Sequence, residues 1–351
     1  MPTVRPRGEA IKKYIIDHVE AHPSDIAKMA AESFGLTRQA VNKHLQKMVA
    51  GGVLKPTGGK TRNRGYGLAP LLDWWHSYTI GAPDVAEDIV WRNDVRQILG
   101  ALPDNVIDIW EYCVTEIFNN AIDHSGGTEI QVFATKTAAQ TTVTIKDNGV
   151  GIFKKIQAAM NLLDERHAIL ELAKGKLTTD PKRHTGEGIF FASRLVDSFD
   201  ILSGGVYFIH KFEDGEDWIL ERLKPNDQGT SVMMKINNDT TRTSKEIFDL
   251  YSSSPEEDYG FVKTVVPVRL AQYGNDKLVS RSQAKRLVTR VEVFKTVLFD
   301  FAGVETIGQA FADEIFRVFG NSHPELELVP INTNQEVQQM IDRARAVNNS
   351  L

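Results

Sequence analysis

The chain has 351 residues, 42% hydrophobic and 25% charged, with a net charge of −5; this is the composition of folded globular domains, roughly two or three at this length, and it excludes a disordered chain. The single cysteine, Cys113, excludes an internal disulfide and a cysteine-built metal site. Residues 1–10 carry charges and prolines without an apolar stretch, and no apolar run reaches about 18 residues, so we expect no signal peptide, no membrane span and a cytoplasmic location.

Charge is unevenly spread. Residues 1–70 hold 12 Lys and Arg against 5 Asp and Glu, so they carry +7 and the rest of the chain −12. A basic head on an acidic body points to a polyanion touched by the head alone. That head reads as three helices and a hairpin. The first helix is expected over 9–21, with Ile11, Ile15, Ile16 and Val19 on one face. Ser24 is the expected cap of a second helix ending near Gly35. Thr37 caps a third, in which Val41, Leu45, Met48 and Val49 form the buried stripe. Gly51-Gly52 stops it. A strand at 53–55, a glycine-rich loop at 58–65 and a return strand at 66–68 complete the unit.

Residues 71–240 have α/β character. Helices are expected over 85–99 and from Pro103 to His124, the second with Ile107, Trp110, Val114, Ile117 and Ala121 at helical spacing. Alternation at Ile130, Val132 and Ala134, and again at Val143 and Ile145, predicts two strands. Asp147-Asn148-Gly149 forms a turn after the second. Residues 152–185 are polar and mixed, with little sheet character. A helix is expected near Gly188 and strands at 206–211, 218–223 and 231–236. Residues 241–260 read as a polar linker. From Phe261 strands and helices alternate, which predicts a small sheet covered by helices over 261–351.

Four weak motifs fall in the middle domain. Glu116 and Asn120 lie four apart on the long helix and share a face; a solvent-exposed stripe would give the same spacing. Asp147-Asn148-Gly149-Val150-Gly151 is common in turns. Thr185-Gly186-Glu187-Gly188 precedes a helix, where backbone N–H groups can hold phosphate, although a plain loop reads the same way. Gly229-Thr230 precedes the last strand. Their order, helix with E-x-x-x-N, strand, D-x-G-x-G, variable segment and G-x-G at a helix start, resembles the GHKL family over residues 85–240. That family includes DNA gyrase B subunits, Hsp90, MutL proteins and the ATPase halves of histidine kinases.

The resemblance implies a Bergerat-type α/β sandwich, a mixed sheet with helices on one face, that binds ATP and Mg²⁺. Asn120 would give its amide oxygen to Mg²⁺. Asp147 would accept from the adenine amino group, a contact guanine cannot make. Gly149 and Gly151 would let the backbone pass close to the nucleotide, and residues 152–185 would form the lid. Thr185, Gly186 and Gly188 would face the phosphates, Thr230 would support the adenine site, and Lys182 and Arg183 would reach the phosphates unless they are simply solvated. Glu116 would be the general base. A sensor histidine kinase is disfavoured, because a winged helix occupies the upstream position and His124 lies on the wrong side of the site.

The head resembles a bacterial winged helix-turn-helix. Thr37, Arg38, Gln39, Asn42, Lys43 and Gln46 form the polar side of its third helix, suited to base edges and phosphates of double-stranded DNA. Lys60, Arg62 and Arg64 lie in the wing, suited to phosphate or the minor groove. A protein-binding winged helix is the other reading. The tail, through residues 299–312, resembles STAS-like domains, the fold of anti-sigma-factor antagonists. Where antagonists carry a phosphorylated serine, this chain has Gly308, Gln309 and Ala310; Thr306 is the nearest hydroxyl. These likenesses imply a homodimer and a protein partner for the tail. They leave three readings: an ATP-hydrolysing, ATP-gated DNA-binding regulator, an anti-sigma-type serine/threonine kinase acting on a STAS partner, and a nucleotide-binding scaffold without turnover.

Overall fold

A computed structural model of the chain describes residues 6–58, 64–178, 185–212, 217–221, 228–253, 260–272 and 276–346. The head consists of α1 (Pro6–His18), α2 (Ile26–Phe34), α3 (Arg38–Ala50) and an antiparallel ladder of β1 (Leu54–Gly58) and β2 (Arg64–Leu68). Ile11, Ile15, Val19, Val41 and Leu45 meet in its core, as their spacing required. Thr37 caps α3, its hydroxyl accepting from the Ala40 amide at 3.2 Å. Ser24 does not cap α2, which starts after Asp25 without a side-chain cap. The Ile26 amide already donates to the His22 carbonyl, so backbone does the work expected of the serine.

The middle domain is built on seven strands: β3 (Leu72–Thr79), β4 (Glu129–Lys136), β5 (Gln140–Asp147), β6 (Ser198–Ser203), β7 (Val206–Lys211), β8 (Asp217–Glu221) and β9 (Thr230–Asn237). Their order is β3-β4-β5-β9-β6-β7-β8. The helices cover one face, as the α/β sandwich requires, but strand direction is more uniform than a mixed sheet: every neighbouring pair runs antiparallel. Insertion of β9 between β5 and β6 sets the end of β5 beside the start of β9. This brings Asp147 and Thr230 together.

On the covered face lie α4 (residues 87–99, with a π turn at Trp91–Val95) and α5 (Asp104–His124). Ile130, Val132, Val143 and Ile145 turn toward that side and are buried, as are Trp110, Val114 and Phe118 of α5. The opposite face exposes Trp75 and Phe133, whose rings stack with centroids 6.2 Å apart. The stretch 152–185 supplies two helices, α6 (Ile152–Met160) and α7 (Glu165–Lys174), and α8 (Gly188–Leu195) follows.

The polar stretch expected as a linker contains α9 (Ser244–Tyr251), closed by a Thr243–Glu246 capping box. Its Ile247 is buried in the core. Beyond it β10 (Lys263–Pro267), β11 (Thr296–Asp300) and β12 (Glu327–Ile331) form a parallel sheet in that order. The crossovers that parallel pairing demands are α10 (Arg281–Val288) and α11 (residues 309–322), with α12 (Gln335–Ala346) after the last strand. One apolar core runs from the middle domain into the tail, and α7 packs directly on β10. Among the described residues no helix is long and apolar enough to cross a membrane.

Candidate active site

A cavity of about 380 Å³ opens between α5, α6, α7, the start of α8 and the ends of β5 and β9. Glu116, Asn120, Asp147, Thr185, Gly186, Gly188 and Thr230 all line it. Residues scattered over more than a hundred positions thus converge because one long helix, two adjacent strand ends and the start of α8 carry them.

Asp147 forms one end. It is 6% exposed, and its Oδ1 accepts from the Gly149 amide at 2.8 Å and the Thr230 amide at 3.2 Å. Burial pushes its carboxyl up from the ordinary value, and these hydrogen bonds offset only part of that rise. Thr230 also fixes the next element: its Oγ1 accepts from the Ile152 amide at 3.0 Å, at the first residue of α6.

Glu116 marks the other end. A methyl on Gly188 would sit 2.9 Å from Glu116 Cδ, so any larger residue at the start of α8 would push the carboxylate aside. Gly186 has φ +74, and a methyl there would sit 2.6 Å from the Leu177 amide nitrogen. That amide donates to the Gly186 carbonyl at 3.1 Å. Asn120 stands one turn beyond Glu116 on α5. The arrangement offers backbone N–H groups at a helix start, a carboxylate and a carboxamide around one space, which suits an oxyanion-rich ligand.

Gly149 and Gly151 do not line the cavity. A methyl on Gly149 would lie 2.6 Å from the Ser125 carbonyl carbon, and Gly151 has φ +97 with Ser203 Oγ 2.7 Å from its missing methyl. These glycines let the D-x-G-x-G turn fold against α5 and β6 and so aim Asp147. Lys182 and Arg183 lie outside the described residues.

Several lining residues carried no motif. Ile145, Ile152, Leu172, Ile189 and Val232 form apolar walls. Lys155 also lines the cavity, its Nζ donating to the His124 carbonyl at 2.6 Å. Hydrophobic periodicity places such walls on helices and strands without saying which of them face a ligand. Among the described residues no group of three His, Cys, Asp or Glu could hold a metal by itself. Asn120 puts a carboxamide, whose oxygen is the hard donor type that Mg²⁺ takes, on the same cavity.

In the head, Arg38, Gln39, Asn42, Lys43 and Gln46 are exposed along α3. Thr37 is exposed too, but its hydroxyl serves the cap. Arg64 opens β2, while Lys60 and Arg62 lie outside the described residues. The charged face expected of a recognition helix is therefore open to solvent.

Residues 86–207 match the family model of the histidine kinase-like ATPase domain, and residues 283–338 that of a STAS-like domain of unknown function. No curated protein matches the chain. The first match runs from α4 into β7 and takes in the E-x-x-x-N, D-x-G-x-G and G-x-G motifs, and the second runs from α10 into α12. The motifs, the cavity they enclose and these two matches identify a GHKL-type, ATP-binding histidine kinase-like domain followed in the same chain by a STAS-like domain.

Proposed function

We propose that the chain is a Mg²⁺-dependent ATPase that acts as an ATP-gated, DNA-binding regulator. The observation that carries this reading is the placement of Glu116 against Gly188 with Asn120 one turn away, all on the cavity that ends in Asp147. Asp147 holds the adenine amino group. Gly186 and Gly188 present backbone N–H groups to the phosphates, where α8 begins. Asn120 would hold Mg²⁺, which would supply charge neutralisation for the phosphates. Glu116 takes the proton from the attacking water, and positioning supplies the remainder of the rate. The basic head, with the open polar face of α3, supports double-stranded DNA as its partner. A homodimer suits paired DNA half-sites.

The kinase alternative has one feature against it in the tail. A methyl on Gly308 would lie 2.9 Å from Val279 Cα and 3.1 Å from its Cβ. Gly308, one of the three positions that match the phosphorylated serine of antagonists, is therefore crowded by the neighbouring backbone, which supports a structural role for the STAS-like domain. γ-Labelled ATP with Mg²⁺ tests both readings in one assay, on wild type, Glu116→Ala and Asn120→Ala, with and without duplex DNA. Phosphate release that both substitutions abolish and duplex DNA stimulates is the expected result. Label transferred to protein would favour the kinase, and neither signal would leave a nucleotide-binding scaffold.

A further inference from the structure

Helix α7 has two working faces. Leu172 lines the nucleotide cavity, while Glu171 and Lys174 are buried against the STAS-like domain. The Lys174 ammonium donates to Glu171 Oε1 at 2.6 Å and to the carbonyls of Arg286 and Thr289 at 2.8 Å each. Thr264 of β10 donates to the Lys174 carbonyl at 2.6 Å. Arg290 closes the cluster. Its Nη1 donates to Glu171 Oε2 at 2.8 Å, and its Nη2 donates to the carbonyl of Lys176 at 2.6 Å and of Gly175 at 3.5 Å.

The backbone held in this way leads straight to the phosphate-binding turn. Leu177, the next residue, donates its amide to the Gly186 carbonyl at 3.1 Å. Both ends of the link are strained: Lys176 has φ 50 and Arg290 φ 61. For residues with a Cβ such conformations cost energy and persist only where their surroundings over-determine them. The Lys176 amine adds a bond to the Val293 carbonyl at 3.2 Å and lies 5.1 Å from the centre of the Phe294 ring. Six hydrogen bonds and a cation–ring contact therefore tie residues 174–176 to the tail, immediately before the residue that braces Gly186.

We propose that Arg290, contributed by the STAS-like domain, is a positioning residue for the Gly186–Gly188 turn, so that the tail sets how tightly the cavity grips the phosphates of its nucleotide. The inference rests on reading the cavity as an ATP site. Arg290 does not line that cavity; it acts through Lys176 and Leu177. Its loss therefore affects the phosphate end and spares the nucleoside end, where Asp147 and Thr230 are fixed by β5 and β9. The guanidinium reaches Glu171 through Nη1 and the two carbonyls through Nη2, a spread over two nitrogens that the single ammonium of lysine cannot reproduce, although lysine keeps the charge opposite Glu171.

The test is calorimetric titration of the full chain with MgATP and, separately, with adenosine. Arg290→Ala is expected to weaken ATP binding about tenfold, the scale of one lost charge-assisted hydrogen bond, and to leave adenosine within about twofold of wild type. Arg290→Lys is expected to fall between, and it carries the test if Arg290→Ala fails to fold. Unchanged ATP affinity in these variants, or equal weakening of ATP and adenosine, overturns the proposal and leaves the ATP site intact. A wild-type chain that binds neither ligand, and is unaltered by Asn120→Ala, overturns the ATP reading itself, and this proposal with it.

Discussion

The Glu116 carboxylate lies over the Cα of Gly188, at the first residue of α8, with no room for a methyl between them. An acidic side chain at a helix N-terminus is electrostatically favourable, and here the geometry aims both groups into one cavity. Gly188→Ala is expected to displace the carboxylate or the start of α8. ATP turnover should then fall by about two orders of magnitude, as when a transition-state contact is misplaced, while stability changes little, because the methyl meets only the movable end of the Glu116 side chain. Phosphate release and a thermal melt on the same sample check this; a variant with full turnover would separate Gly188 from the site.

Asp147 predicts a pH dependence of opposite sign for folding and for binding. Burial raises its pKa in the folded chain above the ordinary value. The group therefore contributes stability below its unfolded pKa, and that contribution is lost as pH rises through the folded one. Adenine recognition needs the ionised carboxylate as acceptor, so ATP affinity should fall as pH drops through the raised pKa. Titrations from neutral to mildly acidic pH measure this, and an affinity constant down to the ordinary carboxylate range would remove Asp147 from adenine recognition.

The joint between α7 and the tail is also titratable. Burial pushes the Lys174 amine down to about 8, with Glu171 pulling it back up. Between that value and the ordinary lysine range the unfolded chain binds more protons, so stability should rise with pH across this window. Lys174→Met should abolish the rise. Near neutral pH it should cost about 3 kcal/mol, the low end for a broken buried pair, because Arg290 still neutralises Glu171. Denaturant unfolding at several pH values shows both effects.

Gly308→Ser addresses the tail as a phosphoacceptor. With Val279 Cα 2.9 Å from the new Cβ, the serine should lower stability by about 1–3 kcal/mol and acquire no label from γ-labelled ATP. Label at that serine would show the Val279 segment moving aside and would revive the kinase reading.

Lys43→Ala tests the head. Loss of one phosphate contact should weaken duplex binding by similar factors for unrelated sequences and lower the salt slope by about 0.9. Fluorescence anisotropy over a range of salt concentrations measures it; an unaltered slope would place Lys43 off the DNA.

Much of the site was legible in the sequence, because motif residues reveal themselves through backbone demands. Gly186 is required by its positive φ and its close approach to the Leu177 backbone, and Glu116 and Asn120 share a face on a helix whose period is clear. The rest was hidden for physical reasons. Helix α7 is buried at every position from Ala168 to Lys174, so it shows no amphipathic alternation. Strand β6 carries Asp200, which is satisfied inside the sheet by Ser198 and Tyr207 and disguises the apolar pattern. Helix α9 is short and mostly polar, with Ile247 its one buried residue. Arg290 had no local signal at all, since its role exists only after the tail docks on α7.

The join between head and body leaves little slack. Strand β2 ends at Leu68 and β3, the edge strand of the large sheet, begins at Leu72. Ala138 and Ala139 of the β4–β5 turn pack on the head's core, and Lys13 pairs with Asp239 at the end of β9. A head mounted in this way touches the sheet directly and is not joined to it by a long tether. If two such chains assembled, the spacing between their α3 helices would be set by how the two sheets face each other.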